Sequence, residues 1–368
     1  MNYAADQNLH GILKRTLRSH WFWGISGLSL LVLTFIATPL ILRYRTLFHI
    51  AALDGTIDYE QSTFEFTVFP SNWENVIRQN RDKKRMKSFD EVESISLDVT
   101  QDSDLVWLND FPNLERISLS GKGLSNTGLV HLKRFHRLKR LMLWNTSVSD
   151  DGLVHLKELS QLNHLDLFYT PVSGSGLAHL QGLTNLTWLN LQGTAVTNAG
   201  LKQVNCFSAL RVLNLNQTSI SDAGLVHLRD LPQLIILQLE QTQVTGTGLS
   251  ELSSLPKLYC LKLNGSLIND SSMSHLKSFK TLIRLELQDT QISDAGLVHL
   301  SGLPLLDALN LSGTQVTDAG LVHLQELPRL RHIYVEITIR NIAVSNNYFL
   351  SSASRFRIIR LFPSREAT

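Results

Sequence analysis

One phrase recurs along this chain with small changes. DTQISDAGLVHLSGL occupies 289–303 and GTQVTDAGLVHLQEL occupies 313–327. With the residues ahead of it, the unit reads LxxLxLxxTxVSDAGLxHLxxL. Its first leucine falls at Leu114, Leu138, Leu162, Leu186, Leu210, Leu234, Leu258, Leu282, Leu306 and Leu330, a constant step of 24 residues. A fixed period of this size constrains the fold more than composition does. Each copy is one small structural unit, and copies of equal length stack into a solenoid.

The unit can be read residue by residue. Leu141 and Leu143 alternate with Arg140, Met142 and Trp144, the period of a short strand with one buried face. Thr146 then leads to Val148, and Ser149-Asp150 reads as a helix N-cap with an acidic first turn. Leu153, Leu156 and Leu159 follow as one apolar helical stripe. Each unit is therefore a strand, a tight turn and a short helix leading to the next strand. A lone unit buries too little apolar surface to offset the entropy of ordering its backbone. Neighbours close that deficit by covering both of its sides, with parallel strands about 4.8 Å apart lining an inner wall and helices outside.

These residues resemble the leucine-rich repeat family, in its ribonuclease-inhibitor-like or cysteine-containing type marked by the (S/T)DxGLxxL half. The resemblance covers 114–336 and implies an α/β fold: a right-handed solenoid, or horseshoe, with a parallel inner sheet and short outer helices. One departure is informative. Where the family usually has Asn or Cys after LxLxx, this chain has Thr146, Thr170, Thr194, Thr218, Thr242, Ser266, Thr290 and Thr314, with Lys122 in the first unit. Such a run of hydroxyls reads as a ladder satisfying backbone groups at the strand-to-helix turn.

Ahead of the repeats, Trp21 to Leu42 contains no charge in 22 residues. As a helix it would span about 33 Å, enough to cross a bilayer. Lys14, Arg15 and Arg18 precede it and Arg43 and Arg45 follow, with Trp21 and Trp23 suited to the interface. A cleaved signal peptide is the competing reading, but the leader is long and no A-x-A site precedes Arg43. The charge bias places the N-terminus in the cytoplasm and the repeats on the non-cytoplasmic side. The expected organisation is a basic tail (1–20), one transmembrane anchor (21–42), a linker and N-terminal cap (43–88), the solenoid (89–336), and a C-terminal cap with a basic tail (337–368).

Within the linker, TIDYEQSTFEFTVF alternates as strands do, SNWENVIRQN reads as helical, and RDKKRMK (81–87) carries five basic residues in seven. That run either meets acidic lipid headgroups or forms a solvated cap surface. Phe89 to Phe111 reads as a degenerate entry unit, in which Ile95 and Leu97 stand for the strand leucines and Leu105 and Leu108 for the helix stripe. At the far end, 333–344 is β-prone and should close the last repeat, and the tail should pack in part through Phe356, Ile358, Ile359 and Leu361.

Charge speaks against a nucleic-acid partner. Residues 89–336 hold 18 basic and 24 acidic side chains, or −6, rather than a basic stripe. Histidine recurs at His131, His155, His179, His227, His275, His299 and His323. All keep one register, and ligands for a metal must converge on a point rather than run in a line. Cys206 and Cys260 lie in different registers, too far apart to bridge. No CxxC, HExxH, P-loop or GxSxG pattern occurs, so neither cofactor, metal, small-molecule substrate nor catalysis is expected.

The inner wall remains. Large aromatics concentrate in its second to fourth units, and the candidate partner-binding residues are Arg140, Met142, Trp144, His164, Asp166, Phe168, Tyr169, Trp188 and Asn190. Exposed aromatics beside charged groups are the residue types that anchor protein interfaces. The bland reading is that 46–88 or the tail covers them, or that they only pad the sheet. The chain also resembles bacterial proteins with one N-terminal span, a short linker and TDAGL-type repeats, which implies an envelope-associated protein partner. Two rivals exist. A ubiquitin-ligase substrate receptor would need an F-box before the repeats, where 46–88 reads as β-prone. A repeat-bearing effector enzyme would need a second core large enough for a catalytic domain.

Overall fold

The computed structural model describes residues 56–59, 92–335 and 357–359. All of them lie in the compact unit Leu53–Thr368. The expected anchor at 21–42, most of the linker with RDKKRMK, and most of the C-terminal tail lie outside the described residues. Among the described residues no helix is long and apolar enough to cross a membrane.

The period is built as a single sheet of 13 strands in chain order. β1 (Thr56–Tyr59) runs antiparallel to β2 (Val92–Asp98), and every later pairing is parallel. The others are β3 (Arg116–Ser120), β4 (Arg140–Met142), β5 (His164–Asp166), β6 (Trp188–Asn190), β7 (Val212–Asn214) and β8 (Ile236–Gln238). They continue with β9 (Cys260–Lys262), β10 (Arg284–Glu286), β11 (Ala308–Asn310), β12 (His332–Tyr334) and β13 (Arg357–Ile359). Register follows the 24-residue step, so Leu141 pairs with Leu165, Leu189, Leu213 and Leu237 in turn. Ile95 and Leu97 of β2 are buried in the same register as Ile117 and Leu119.

One unit shows the core. Leu138, Leu141, Leu143, Val148, Leu153, Leu156 and Leu159 are all 0% exposed. They come from the strand, the turn and the outer segment, so the core is one continuous row of leucines between sheet and helices. The alternating partners Arg140 and Trp144 face solvent, and Met142 is half-buried.

The outer segments differ from the expected α-helices. Most are 3-10 turns, such as Asp150–Leu156 and Ser175–Leu180. Among the described residues the α-helical pieces are single turns: α1 (Asn198–Leu201), α2 (Asp222–Leu225) and α3 (Asp294–Leu297). The reason was in the spacing. Leu153, Leu156 and Leu159 step by three, which lines them up on a helix of 3.0 residues per turn and would drift around one of 3.6.

The expected hydroxyl ladder is present. The hydroxyls of Thr146, Thr170, Thr194, Thr218, Thr242, Ser266, Thr290 and Thr314 each donate to the carbonyl three residues earlier, at 2.6–2.9 Å. Lys122, the first unit's substitute, reaches forward instead. Its ammonium donates to the carbonyls of Thr146 and Tyr169 at 3.2 and 3.4 Å.

The Ser-Asp pair does something other than cap its own helix. Ser149 and Ser221 accept no capping bond, although Thr197, Asn269 and Ser293 do. The acidic residue serves the following unit. Asp150 accepts the Ser173 N–H and hydroxyl and the N–H groups of Gly174 and Gly176. Asp222 does the same for Thr245, Gly246 and Gly248. Asp102, Asn126, Asn198, Asp270 and Asp294 make shorter versions of this link. Burial pushes the Asp102, Asp150 and Asp222 carboxyls up, but the hydrogen bonds they accept outweigh it and hold each below the ordinary 3.8.

The ladder breaks after Gly174 and Gly246, which stand where the carboxylate or amide would be. There the next unit finds other acceptors. The Thr197 N–H goes to the Ser173 carbonyl at 3.2 Å, and Asn269 is capped by its own Ser272 at 3.0 Å. Gly246 and Ser272 are matched in size, because a Cβ on Gly246 would lie 2.3 Å from the Ser272 Cβ.

Candidate partner-binding face

The strands present three outward positions each, and parallel register aligns these into rows. Arg140, His164, Trp188 and Val212 form one row, and Met142, Asp166, Asn190 and Asn214 the next. Trp144 and Phe168 lie just beyond the strand ends, followed by a turn residue with left-handed backbone. That residue is Asn145 in the second unit (φ 56°), Tyr169 in the third (φ 52°) and Gly193 in the fourth (φ 66°). Asn and Gly are ordinary there; an aromatic residue is an outlier.

The two halves of the wall differ in kind. From Gln192 to Asn310 its polar side chains bond to one another. Asn214 donates to Gln192 at 3.1 Å, and Asn216 donates to Glu240 at 2.9 Å. Asn264 bridges Glu240 and Glu286 at 3.1 Å each, and Asn310 donates to Gln288 at 3.4 Å. Lys262 sits 3.8 and 3.9 Å from Glu240 and Glu286, and Arg284 donates to Glu286 at 2.9 Å. Two cations thus meet two carboxylates, and the half is neutral within itself. Cys260, at an outward strand position, is only 4% exposed, and burial pushes its thiol up to about 11.

The half formed by the second to fourth units is aromatic and open. Trp144 is 41% exposed and Tyr169 45%. Trp144 donates its indole N–H to the Ser118 hydroxyl at 3.2 Å. His164 and Trp188 stack with ring centroids 3.7 Å apart and planes 4° from parallel. Burial, helped by Arg140, lowers the His164 pKa to about 4, so that this ring is neutral at physiological pH. Phe168 meets Tyr169 edge-on at 4.3 Å. The Tyr169 ring lies over Gly193, where a Cβ would come within 2.6 Å of it, and its hydroxyl donates to Gln217 at 2.7 Å.

Two candidates have work inside the sheet. Asp166 accepts the Phe168 N–H at 2.9 Å, and Asn190, 7% exposed, accepts the Gln192 N–H at 3.0 Å. Burial raises the Asp166 carboxyl, and bonds from Phe168 and Asn190 counter it only in part. Arg140, Met142, Trp144, His164, Phe168, Tyr169 and Trp188 form the accessible remainder. Beside them, at the strand-to-helix rim, a cleft of about 430 Å³ is lined by Lys122, Ser147, Tyr169, Pro171, Gly193 and Ala195, among others. Sequence reasoning missed this cleft and the left-handed turn that builds it. The available signal was the register 121, 145, 169, 193, 217, 241, 265, 289 and 313, where Gly, Asn, Gln or Asp stands at every position except Tyr169.

The histidines occupy one register on successive outer segments, and the Nδ1 atoms of His155 and His299 are buried without a hydrogen-bond partner among the described residues. Among the described residues no three His, Cys, Asp or Glu side chains are grouped to hold a metal.

Comparison with known proteins places this geometry. A family model described as a leucine-rich repeat matches residues 303–324. The search of curated proteins gave no match. Among solved structures, an internalin C2 from Listeria monocytogenes is 24% identical, covering 58% of this chain and 84% of its own, with a TM-score of 0.45. An internalin, inlF, from the same organism is 17% identical, covering 80% of this chain and 96% of its own, with a TM-score of 0.47. TLR13 in a TLR13–ssRNA13 complex is 18% identical, covering 67% of this chain and 40% of its own, with a TM-score of 0.51. At such identity the last likeness speaks to fold alone. With the unbroken 24-residue register and the family-model match, it identifies the described body of this chain as a leucine-rich repeat solenoid.

Proposed function

We propose that this chain is a non-enzymatic, membrane-anchored interaction module whose concave wall binds a protein through its second to fourth units. The observation that carries the reading is the contrast within one wall. Asn214, Asn216, Asn264 and Asn310 are each bonded to a polar neighbour on the wall, whereas Trp144 and Tyr169 leave large aromatic surfaces in solvent. A rigid, preformed surface with aromatic anchors gains affinity because little is ordered on binding. The uncharged segment 21–42 supports the anchor, and the flanking charges support repeats on the non-cytoplasmic side.

A photo-crosslinking side chain at 144 should trap one protein species in intact cells, while the same group at Gln238 should trap none. In pull-down of that species by a chain without the crosslinker, Trp144→Ala with Trp188→Ala should abolish capture and leave the solenoid folded by circular dichroism. Undiminished capture by the double variant would end the reading. Protease access to the repeats in intact against permeabilised cells tests the orientation.

A further inference from the structure

We infer that the ligand of this face is an extended protein segment bearing one carboxylate about four residues from an aromatic or aliphatic side chain. The inference rests on the reading of the aromatic wall as a binding face, and adds the chemistry of what it binds.

The argument starts from charge. On the far half of the wall, Lys262 and Arg284 are neutralised by Glu240 and Glu286. On the aromatic half, Arg140 is exposed, and its guanidinium has no carboxylate or carbonyl acceptor among the described residues. It neighbours His164 in register, and His164 is held neutral, so no charge on that ring competes for an incoming anion. An exposed guanidinium beside aromatic rings is suited to a planar carboxylate.

Geometry supplies the second requirement. Arg140, Met142 and Trp144 follow one another along β4 and its extension. At about 3.3 Å per residue, Arg140 and Trp144 lie about 13 Å apart. A ligand strand lying along this line sets its carboxylate on Arg140 and an apolar side chain on Trp144. Beyond Trp144 the line reaches the rim cleft, whose Tyr169, Pro171 and Ala195 can take a further apolar side chain. The Lys122 ammonium at that cleft is engaged by two carbonyls, so the cleft itself does not call for a second acid.

The same observations disfavour single-stranded nucleic acid. A polyanion sets a phosphate beside every base and needs a track of cations. Here Asp166 lies in the middle of the aromatic rows, and residues 89–336 carry 18 basic against 24 acidic side chains. A lone carboxylate flanked by apolar groups meets Arg140 without that repulsion.

The test selects short random peptides from a display library on the full-length chain in detergent. Selected peptides should share an Asp or Glu about four residues from a large apolar residue. Replacing that acid by its amide should weaken binding about tenfold or more. Arg140→Glu should switch the selected charge to Lys or Arg, while Arg284→Glu, on the far half, should leave the selection unchanged. Peptides without a shared acid, no selected peptides, or an acidic preference that survives Arg140→Glu would overturn the inference. So would single-stranded poly-uridine RNA binding at physiological salt that is lost with Trp144→Ala. Crosslinking from position 144 is independent of this experiment, so a partner trapped there while peptide selection fails would remove the ligand chemistry and leave the binding face.

Discussion

Replacing Asp222 by Ala tests how consecutive units are joined. Its carboxylate accepts the Thr245 N–H at 3.0 Å and hydroxyl at 2.6 Å, and the N–H groups of Gly246 and Gly248 at 3.0 and 2.8 Å. Hydrogen bonds to a charged group contribute about 1.5–3 kcal/mol each. These four share one acceptor and the side chain is half-buried, so water replaces part of the loss and the terms do not add. Alanine should therefore cost about 3–4 kcal/mol. Asparagine should cost about half as much. Asn198 shows why: at the same register it accepts the Ser221 N–H at 3.0 Å and donates to the Ser221 hydroxyl at 2.8 Å, but offers no second oxygen for the glycine N–H groups.

The assay is urea unfolding followed by circular dichroism at several pH values. Hydrogen bonding holds the Asp222 carboxyl below 3.8 despite the opposing effect of burial. The unfolded chain therefore binds the proton first as pH falls. Stability contributed by this group is full above the unfolded pKa and is lost as pH drops through the folded one. Asp222→Asn should flatten the acid limb of the stability curve. A loss under about 0.5 kcal/mol for Asp222→Ala, or an equal loss for Asn and Ala, would refute the inter-unit role.

Three further outcomes can be checked. Thr218→Val, which removes a buried hydroxyl donating to the Leu215 carbonyl at 2.6 Å, should cost about 1–2 kcal/mol in the same unfolding assay. His164, lowered to about 4 by burial and Arg140, should give no imidazole titration near pH 6.5 by NMR, and stability should decline as pH falls from about 6.5 to about 4 because only the unfolded chain takes up the proton; His164→Gln should remove that slope. Tyr169→Asn should leave the melting temperature unchanged or raise it, since Asn tolerates φ 52° better, while crosslinking of the partner from position 144 falls.

Most of the fold was legible because a 24-residue step leaves one solution to burying Leu141, Leu143 and their equivalents. The 3-10 character was written in the three-residue spacing of Leu153, Leu156 and Leu159, although the helix reading passed over it. Asp150 reads in the sequence as the acidic first turn of its own helix, because sequence shows the local partner and hides the one a unit away, where Ser173 and Gly176 supply the donors. For the wall, composition could name Trp144 and Trp188. It could not show that Asn190 is spent on the Gln192 N–H, or that the polar side chains beyond it are bonded to each other.

Tyr169 shows why departures from the repeat are the informative positions. Its register requires left-handed backbone, which Gly193, Gly265 and Gly313 adopt without strain and which Asn145, Gln217, Gln241 and Asp289 also adopt. An aromatic residue there costs about 1–2 kcal/mol relative to glycine, and its hydroxyl bond to Gln217 is solvent-exposed and returns little. Burial does not compensate either, since the side chain is 45% exposed. What the residue does supply is one wall of the rim cleft, beside Phe168 and in line with Trp144. Asn145, Gln217, Gln241 and Asp289 hold the same backbone conformation, so what sets Tyr169 apart is the ring it leaves in solvent on the face that carries Arg140.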